Sequence, residues 1–466
     1  MTTTNAPSIL LIGADQYIVR ACVELGADLV MIYGPGVRDG DGARVPGQVR
    51  TVFVQDQRTP EAVLTALYRA GLANGPAGRG YDVVLTFTEH ALVHAAVLAR
   101  VFGCRGMAPE VAVRFRDKWL QKKVIADAGL PTARSTVLED IAYPDDLPEL
   151  DSWPRVLKPM YGVGTQLTAL VSSQAELREA ARRFTRKAPP YRSYVAEEFS
   201  RGDEWTADGV MFRGELMFLS VATYQEPCLT VLEKQQALTY RRFDPEVDAG
   251  VFKLAGPFVR QAIAALGLED GIFHMELFHD PDTGELVFGE CNGRRGAALV
   301  PEEIRYKFNV DIGEEAVRCA LGLTPRLDVK VSPDSIGNTY LLGPPGTLVS
   351  SPSPAEVLAR EGTRYVTLEQ PVGSVIPGSY GDMLTRVGMA VVAAADADAL
   401  YRRMAELRDW FAAQLTVVPP GVSARGLRQW HRQTWPDKDL NDASYAQAQV
   451  RPDPAQSAAA GQGGQE

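Results

Sequence analysis

Cysteine is scarce and scattered in this chain: Cys22, Cys104, Cys228, Cys291 and Cys319 are odd in number, far apart and include no CxxC pair. That spacing excludes a disulfide framework and a cysteine-rich zinc cluster, and it points to a reducing, cytoplasmic setting. No apolar stretch approaches the roughly 20 residues needed to span a bilayer, because charges or glycines interrupt every hydrophobic run. The opening residues MTTTNAP lack the basic and apolar regions of a signal peptide, so secretion is not expected. A dense Lys/Arg run is missing as well, and the net charge of -10 disfavours a nucleic-acid partner. Nor is there an internal repeat.

What is present is an ordinary globular composition, 45% hydrophobic and 23% charged, spread over 466 residues. That length predicts several lobes with clefts between them. Over residues 1–114, short apolar runs (Ile9 to Ile12, Leu29 to Tyr33, Val52 to Val54, Asp82 to Phe87) alternate with helical segments, which predicts a Rossmann-like α/β unit. Gly34-Pro-Gly36 with Gly40 only mimics a dinucleotide fingerprint, since no helix pattern follows; it reads as a loop. Residues 115–325 form the next unit. It opens with a helix over 115–128, stopped by Gly129 and Pro131, and continues through strands near 155–158, 167–171 and 194–199 around a helix over 173–184. An irregular stretch from Tyr224 to Phe243 and a helix over 255–266 follow. Residues 326–420 read as a small α+β accessory domain ending in a helix over 396–413. Residues 436–466 are poor in large apolar side chains, and a disordered tail is expected there.

The sharpest chemical signal lies in FHMELFHDPDTGELVFGECNGRRG, from Phe273 to Gly296. Strand alternation puts His274 and Glu276 on one face of a first strand, and Glu290 and Asn292 on one face of a second. A three-residue loop, Asp282-Thr283-Gly284, with Gly284 in the left-handed position, pairs Pro281 with Glu285 and thereby sets Glu276 opposite Glu290. Two opposed, partly buried carboxylates repel each other and call for a cation. Oxygen ligands so few in number suit nucleotide-bound magnesium better than calcium. A second signal is VLKPMYGVGT, where a strand ends at Lys158 and runs into a loop with Gly162 and Gly164, whose backbone can approach phosphates closely. Lys118 opens a helix in RDKWLQKK, and YVAEEFSRGDEWT (194–206) carries carboxylates on either side of a turn at Gly202.

With Lys118, Lys158 and its glycine loop, Glu197-Glu198-Phe199, Glu204, Glu276 and Glu290-x-Asn292-x-Arg294-x-Gly296 in this order, the chain resembles the ATP-grasp superfamily from about Ser8 to Leu323. Within it, the nearest look is to carboxylate-amine ligases of the L-amino acid ligase group. The resemblance implies a multidomain α/β and α+β protein: an N-terminal Rossmann-like substrate domain, an ATP-grasp unit with a mobile lid (about 131–195) and a catalytic lobe (about 196–325), and a C-terminal α+β accessory domain. It also implies roles. Lys118 and Lys158 would contact the ATP phosphates, with Gly162 and Gly164 closing over them. Glu197 and Phe199 would offer backbone groups to the adenine, with Glu198 beside them, and Glu204 would take the ribose hydroxyls. Glu276, Glu290 and Asn292 would hold two magnesium ions, replaceable by manganese. Arg294 would bind the carboxylate and stabilise the acyl phosphate, as the geometry of a guanidinium fork allows.

The implied activity is ATP-dependent formation of an amide bond between a small-molecule carboxylate and an amine, with amino acids as the expected substrates, no nucleic acid or membrane partner, and room for a homodimer. Two rivals remain: a biotin-carboxylase-like or purine-pathway carboxylase using bicarbonate, and a noncatalytic nucleotide-binding regulator. A biotin-carrier Met-Lys-Met segment is missing. Many relatives have two glycines after the arginine, whereas here Gly296 is followed by Ala297, and Arg295 is expected to face solvent. His90 and His94, four residues apart, lack a third metal ligand nearby and read as packing residues. His274 is expected beside the site, outside direct contact with the chemistry.

Overall fold

The computed structural model describes residues 6–34, 49–76, 78–186, 191–377 and 386–421, with the single positions 47, 426, 429 and 433. The glycine-rich segment from Pro35 to Gly40 and the expected tail at 436–466 lie outside the described residues.

The chain begins with a parallel sheet of order β3-β2-β1-β4, made of β1 (Ser8–Ile12), β2 (Asp28–Tyr33), β3 (Arg50–Phe53) and β4 (Val83–Thr86). The run SILLI of β1 is buried throughout, as a parallel strand covered on both faces must be. Around it stand α1 (Gln16–Glu24), α2 (Pro60–Arg69) and α3 (Leu92–Phe102), followed by α4 (Pro109–Arg114) and α5 (Lys118–Asp127). Asp15 caps α1 by accepting from the Tyr17 and Ile18 N–H groups, and Asp117 caps α5 by accepting from Leu120 N–H. The predicted helix over 115–128 is therefore split: Phe115 closes α4, and Arg116-Asp117 form the joint.

A four-stranded antiparallel sheet of order β5-β8-β6-β7 follows, from β5 (Ser135–Leu138), β6 (Arg155–Pro159), β7 (Ala169–Val171) and β8 (Tyr194–Glu198), with α6 (Gln174–Arg186) packed on it. A five-stranded antiparallel sheet of order β11-β10-β9-β12-β13 comes next. Its strands are β9 (Asp203–Phe212), β10 (Glu215–Tyr224), β11 (Tyr240–Arg242), β12 (Gly271–His279) and β13 (Leu286–Asn292). The stretch expected to be irregular between Tyr224 and Phe243 instead contains the short helix α7 (Cys228–Glu233) and β11. Helix α8 (Ala249–Leu266) begins earlier than the expected start at Ala255. Its Pro257 resembles a first-turn proline in sequence, but packing on β9, β12 and β13 carries the helix further back. Helices α9 (Val300–Phe308) and α10 (Ile312–Ala320) join this sheet to β1 and α1 through one core.

The remaining residues build two three-stranded antiparallel sheets, β14-β18-β16 and β17-β15-β19, from β14 (Ser335–Leu341), β15 (Gly346–Ser350), β16 (Thr363–Leu368), β17 (Val375–Ile376), β18 (Gly388–Ala394) and β19 (Thr416–Val418). Helices α11 (Pro354–Leu358) and α12 (Ala397–Gln414) complete them.

The β12–β13 hairpin has the predicted central register by a different route. Glu276 does stand opposite Glu290, yet the turn is closed one residue away from the expected pairing: Asp280 N–H donates to Glu285 O at 3.0 Å, and His279 pairs with Leu286. Gly284 keeps its left-handed backbone, with φ of 72°. A bulge between Glu276 and Leu277 absorbs the one-residue offset, with Gly289 as the extra residue. A Cβ there would lie 2.9 Å from the Glu276 carbonyl oxygen, so only glycine fits without moving the backbone. Gly289→Ala is accordingly expected to destabilise the fold by about 1–3 kcal/mol, the ordinary cost of overpacking. A urea midpoint equal to that of the unchanged protein would contradict this account of the bulge.

Candidate active site

The central sheet presents its polar residues as a grid. Across β9, β12 and β13 one row runs Asp208, His274, Asn292, and the next runs Thr206, Glu276, Glu290. Phe278 stands beside Glu204 in a third. Alternation sends Phe273, Met275 and Leu277 into the core under α8. The grid faces a cavity of about 220 Å³, whose roof is Lys158, Gly162 and Gly164 from the sheet of β5 to β8 and whose far wall is Leu238, Tyr240 and Tyr340.

Cations reach the carboxylates from two separate elements. Lys118 Nζ lies 2.9 Å from Glu290 Oε2, and Lys158 Nζ lies 3.7 Å from the same oxygen and 2.9 Å from Glu197 Oε2. Burial would raise the Glu290 carboxyl, but the two ammonium groups outweigh it and hold Glu290 well below the usual carboxylate range. Burial likewise works against the Lys158 ammonium, and Glu197 and Glu290 outweigh it, holding that lysine above its ordinary value. Glu276 goes the other way: burial first, then the charges of Glu290 and Glu204, push its carboxyl well above the usual range. Among the described residues no hydrogen bond or ion pair reaches its carboxylate. Asn292 donates to Glu290 Oε1 at 3.4 Å.

Glu204 is buried and accepts from Cys228 N–H at 2.8 Å; burial raises its carboxyl as well. Glu197 is buried with one oxygen, Oε1, unpaired. Glu198 points outward, where Arg134 and Ser152 bond to it. The Phe199 N–H donates to Pro154 O at 3.3 Å, while its ring is partly exposed. His274 Nδ1 lies 2.7 Å from Asp208 Oδ1, and Asp208 bonds in turn to Arg242 at 2.7 Å.

Arg294 stands at the end of β13, paired with Glu89 from the turn after β4, which also takes Arg116. Arg295 does not face solvent as expected. Its side chain is 22% exposed, donates from Nε to Asp15 Oδ2 at 2.8 Å and lies over the Tyr17 ring. Asp15 thus caps α1 with one oxygen and anchors Arg295 with the other, a contact between residues 280 positions apart that no local pattern reveals. His94 bonds to the His90 carbonyl and His90 stacks near Tyr191, so both are packing residues.

Sequence reasoning missed Glu89, Arg116 and Lys122. Lys122 is buried, donates to Gly289 O at 2.7 Å and lies 3.3 Å from Glu197, so it ties the bulge to β8. Its position four residues after Lys118, on one face of α5, was the available signal.

Two carboxylates and an amide on adjacent strands fit a hard divalent cation, and Glu276, which no hydrogen bond or ion pair reaches among the described residues, is the ligand left free for one. Among the described residues no group of three or more His, Cys, Asp or Glu side chains could hold a metal, so the remaining ligands would come from a bound phosphate and water. Because Glu276 is pushed towards its protonated form, a metal must displace a proton. Magnesium is therefore expected to bind more tightly as pH rises from about 5.5 to 7.5, as for any site whose ligand must ionise. Magnesium titrations of a bound fluorescent nucleotide at the two pH values check this, and equal affinities would rule it out.

No family model matches the chain. Over 292 residues it is 24% identical to the L-arginine-specific L-amino acid ligase of Bacillus subtilis, an alignment that covers 61% of this chain and 68% of that one. Among solved structures, the L-amino acid ligase from Bacillus licheniformis matches with a TM-score of 0.71 at 20% identity, covering 90% of this chain and all of that one. The biotin carboxylase domain of Hydrogenobacter thermophilus 2-oxoglutarate carboxylase, solved with MgADP and bicarbonate, matches with a TM-score of 0.61 at 18% identity, covering 88% and 90%.

Proposed function

We propose that the chain, which has the ATP-grasp fold, is a carboxylate-amine ligase that joins an amino acid, activated as an acyl phosphate by ATP, to the amine of a second amino acid. The observation that carries this reading is the convergence of Glu276, Glu290 and Asn292 beneath Lys118 and Lys158, with Arg294 at the strand end.

Phosphoryl transfer asks a protein for positioning and charge neutralisation more than for covalent help. The substrate carboxylate oxygen attacks the γ-phosphorus and ADP leaves; the amine then attacks the acyl carbon and phosphate leaves. Arg294 orients the carboxylate and stabilises the negative charge that develops on its oxygen during amine attack. Lys118 and Lys158, which pair with Glu290 in the structure, would contact the phosphates, and Glu276, Glu290 and Asn292 would hold the magnesium. Gly162 and Gly164 let the loop backbone close over the phosphates. Magnesium, when bound, supplies the neutralisation that lets a triphosphate sit beside two acids.

The adenine would lie at the end of β8. Backbone groups of Glu197 and Phe199 would meet its edge, with Glu198 beside them. Glu204 would accept from the ribose. Two magnesium ions, replaceable by manganese, small amino-acid substrates, a homodimer and a cytoplasmic location complete the reading.

A matrix of amino acids assayed for ADP release, with mass spectrometry of the products, tests the proposal directly. Glu290→Gln is expected to abolish turnover while the circular dichroism spectrum stays unchanged. Lys158→Ala should raise the KM for ATP by about tenfold or more, the scale of a lost charge-assisted contact. Retained turnover in the first variant, or an unchanged KM in the second, would sink these assignments. ADP release driven by bicarbonate instead of an amino acid would favour a carboxylase, and nucleotide binding without turnover would favour a regulator.

A further inference from the structure

The joint between α4 and α5 grips the glycine loop at three successive carbonyls. Arg116 Nη2 donates to Tyr161 O, the Lys118 backbone N–H donates to Met160 O at 3.1 Å, and the Lys118 ammonium reaches Gly162 O at 3.4 Å. The other terminal nitrogen of Arg116 donates to Glu89 Oε1, while Glu89 Oε2 takes Arg294. Glu89 and Arg116 are both buried. One carboxylate therefore holds, by separate oxygens, the arginine at the end of the candidate metal strand and the arginine that carries the loop.

We propose that Arg116 is a positioning residue that ties the nucleotide-phosphate loop to Glu89, so that order in the loop depends on that carboxylate and on a fork-shaped cation to bridge the gap. The inference rests on the ligase reading only for what the loop binds. Burial works against the Glu89 carboxylate, but Arg294 and Arg116 outweigh it and keep it ionised. A buried guanidinium without its carboxylate would be an uncompensated charge, so removing Glu89 expels Arg116 from the Tyr161 carbonyl. Lysine cannot replace it, because a single ammonium on a flexible stem lacks the planar fork that spans both partners. A second tie lies alongside: the His90 ring stacks on Tyr191 with centroids 6.4 Å apart, and Tyr191 meets Tyr161 edge-on at 5.1 Å. The residues following Glu89 and preceding Gly162 thus meet through aromatic packing as well as through the charge link.

Hydrogen exchange across residues 159–168 of the full chain, without nucleotide, reads the link directly. Arg116→Lys and Glu89→Gln should each speed exchange in that loop by about tenfold while α8 stays protected, the signature of a local opening. Combining the two substitutions should add nothing further, since they break one chain of contacts. With ATP, Arg116→Lys should raise KM much more than it lowers kcat. A loop protected as in the unchanged protein together with an unchanged KM overturns the proposal, as does exchange that rises uniformly over the chain. Because the exchange measurement needs no turnover, a chain that loses loop protection in Arg116→Lys yet never uses ATP would refute the ligase reading and keep this one.

Discussion

Opposed carboxylates on neighbouring strands are the constraint around which the molecule is arranged. Glu276 and Glu290 sit directly across β12 and β13, in a floor whose back is packed with Phe273, Met275, Leu277 and Phe288. Two like charges in that setting cannot both ionise without cations. The chain answers with Lys118 from α5 and Lys158 from β6, elements that reach the sheet from different directions. With Glu276 and Glu204 both pushed towards the protonated form, the two lysines are set against Glu290 and Glu197. On the proposed reading, Glu276, Glu290 and Asn292 would hold the divalent ion that accompanies a polyphosphate, and the two lysines would meet its phosphates.

The floor is also the meeting point of distant parts of the chain. From His274 the buried polar contacts run through Asp208, Arg242 and Glu303 to Asn338 on β14. Burial pushes the Glu303 carboxyl up to about 7 even against its pairing with Arg242. A chain of this kind is costly when half-made and specific when complete. It fixes how the C-terminal sheet docks, and Tyr340 on that sheet lines the same cavity as Glu276. The C-terminal strands therefore line the cavity as well as covering its flank.

Local pattern made much of this legible. Strand alternation put His274 with Glu276 and Glu290 with Asn292, and the order of lysines, glycines and acids along the chain carried the resemblance from which the fold followed. The hairpin shows where such reasoning stops. A glycine inside a strand can mean a bulge, and Gly289 does; the turn alone does not set the register, because an offset at the turn and an offset at Gly289 cancel. The span from Tyr224 to Phe243 looked irregular because α7 and β11 are too short to show a period. Arg295, Glu89 and Arg116 were opaque for a different reason: their partners lie in other lobes, and charge pairing across the fold leaves no mark on the neighbouring residues.

Those long-range pairs share one geometry, which bears on how substrate could enter. Asp15 follows β1 and Glu89 follows β4, so both acids stand at the carboxyl ends of parallel strands, the edge where open α/β sheets bind ligands. Each takes one of the consecutive arginines that follow β13: Glu89 holds Arg294, and Asp15 holds Arg295. Their other partners differ, however. Glu89 also carries Arg116, whereas Asp15 also caps a helix. Drawing Arg294 towards a substrate carboxylate would leave Glu89 still paired with a cation, so the exchange strands no buried charge. Drawing Arg295 away would leave Asp15 with backbone N–H groups alone and would cost α1 none of its cap. On the proposed ligase reading, the N-terminal sheet would lend Arg294 to the reaction, while Arg295 ties the end of β13 to the cap of α1.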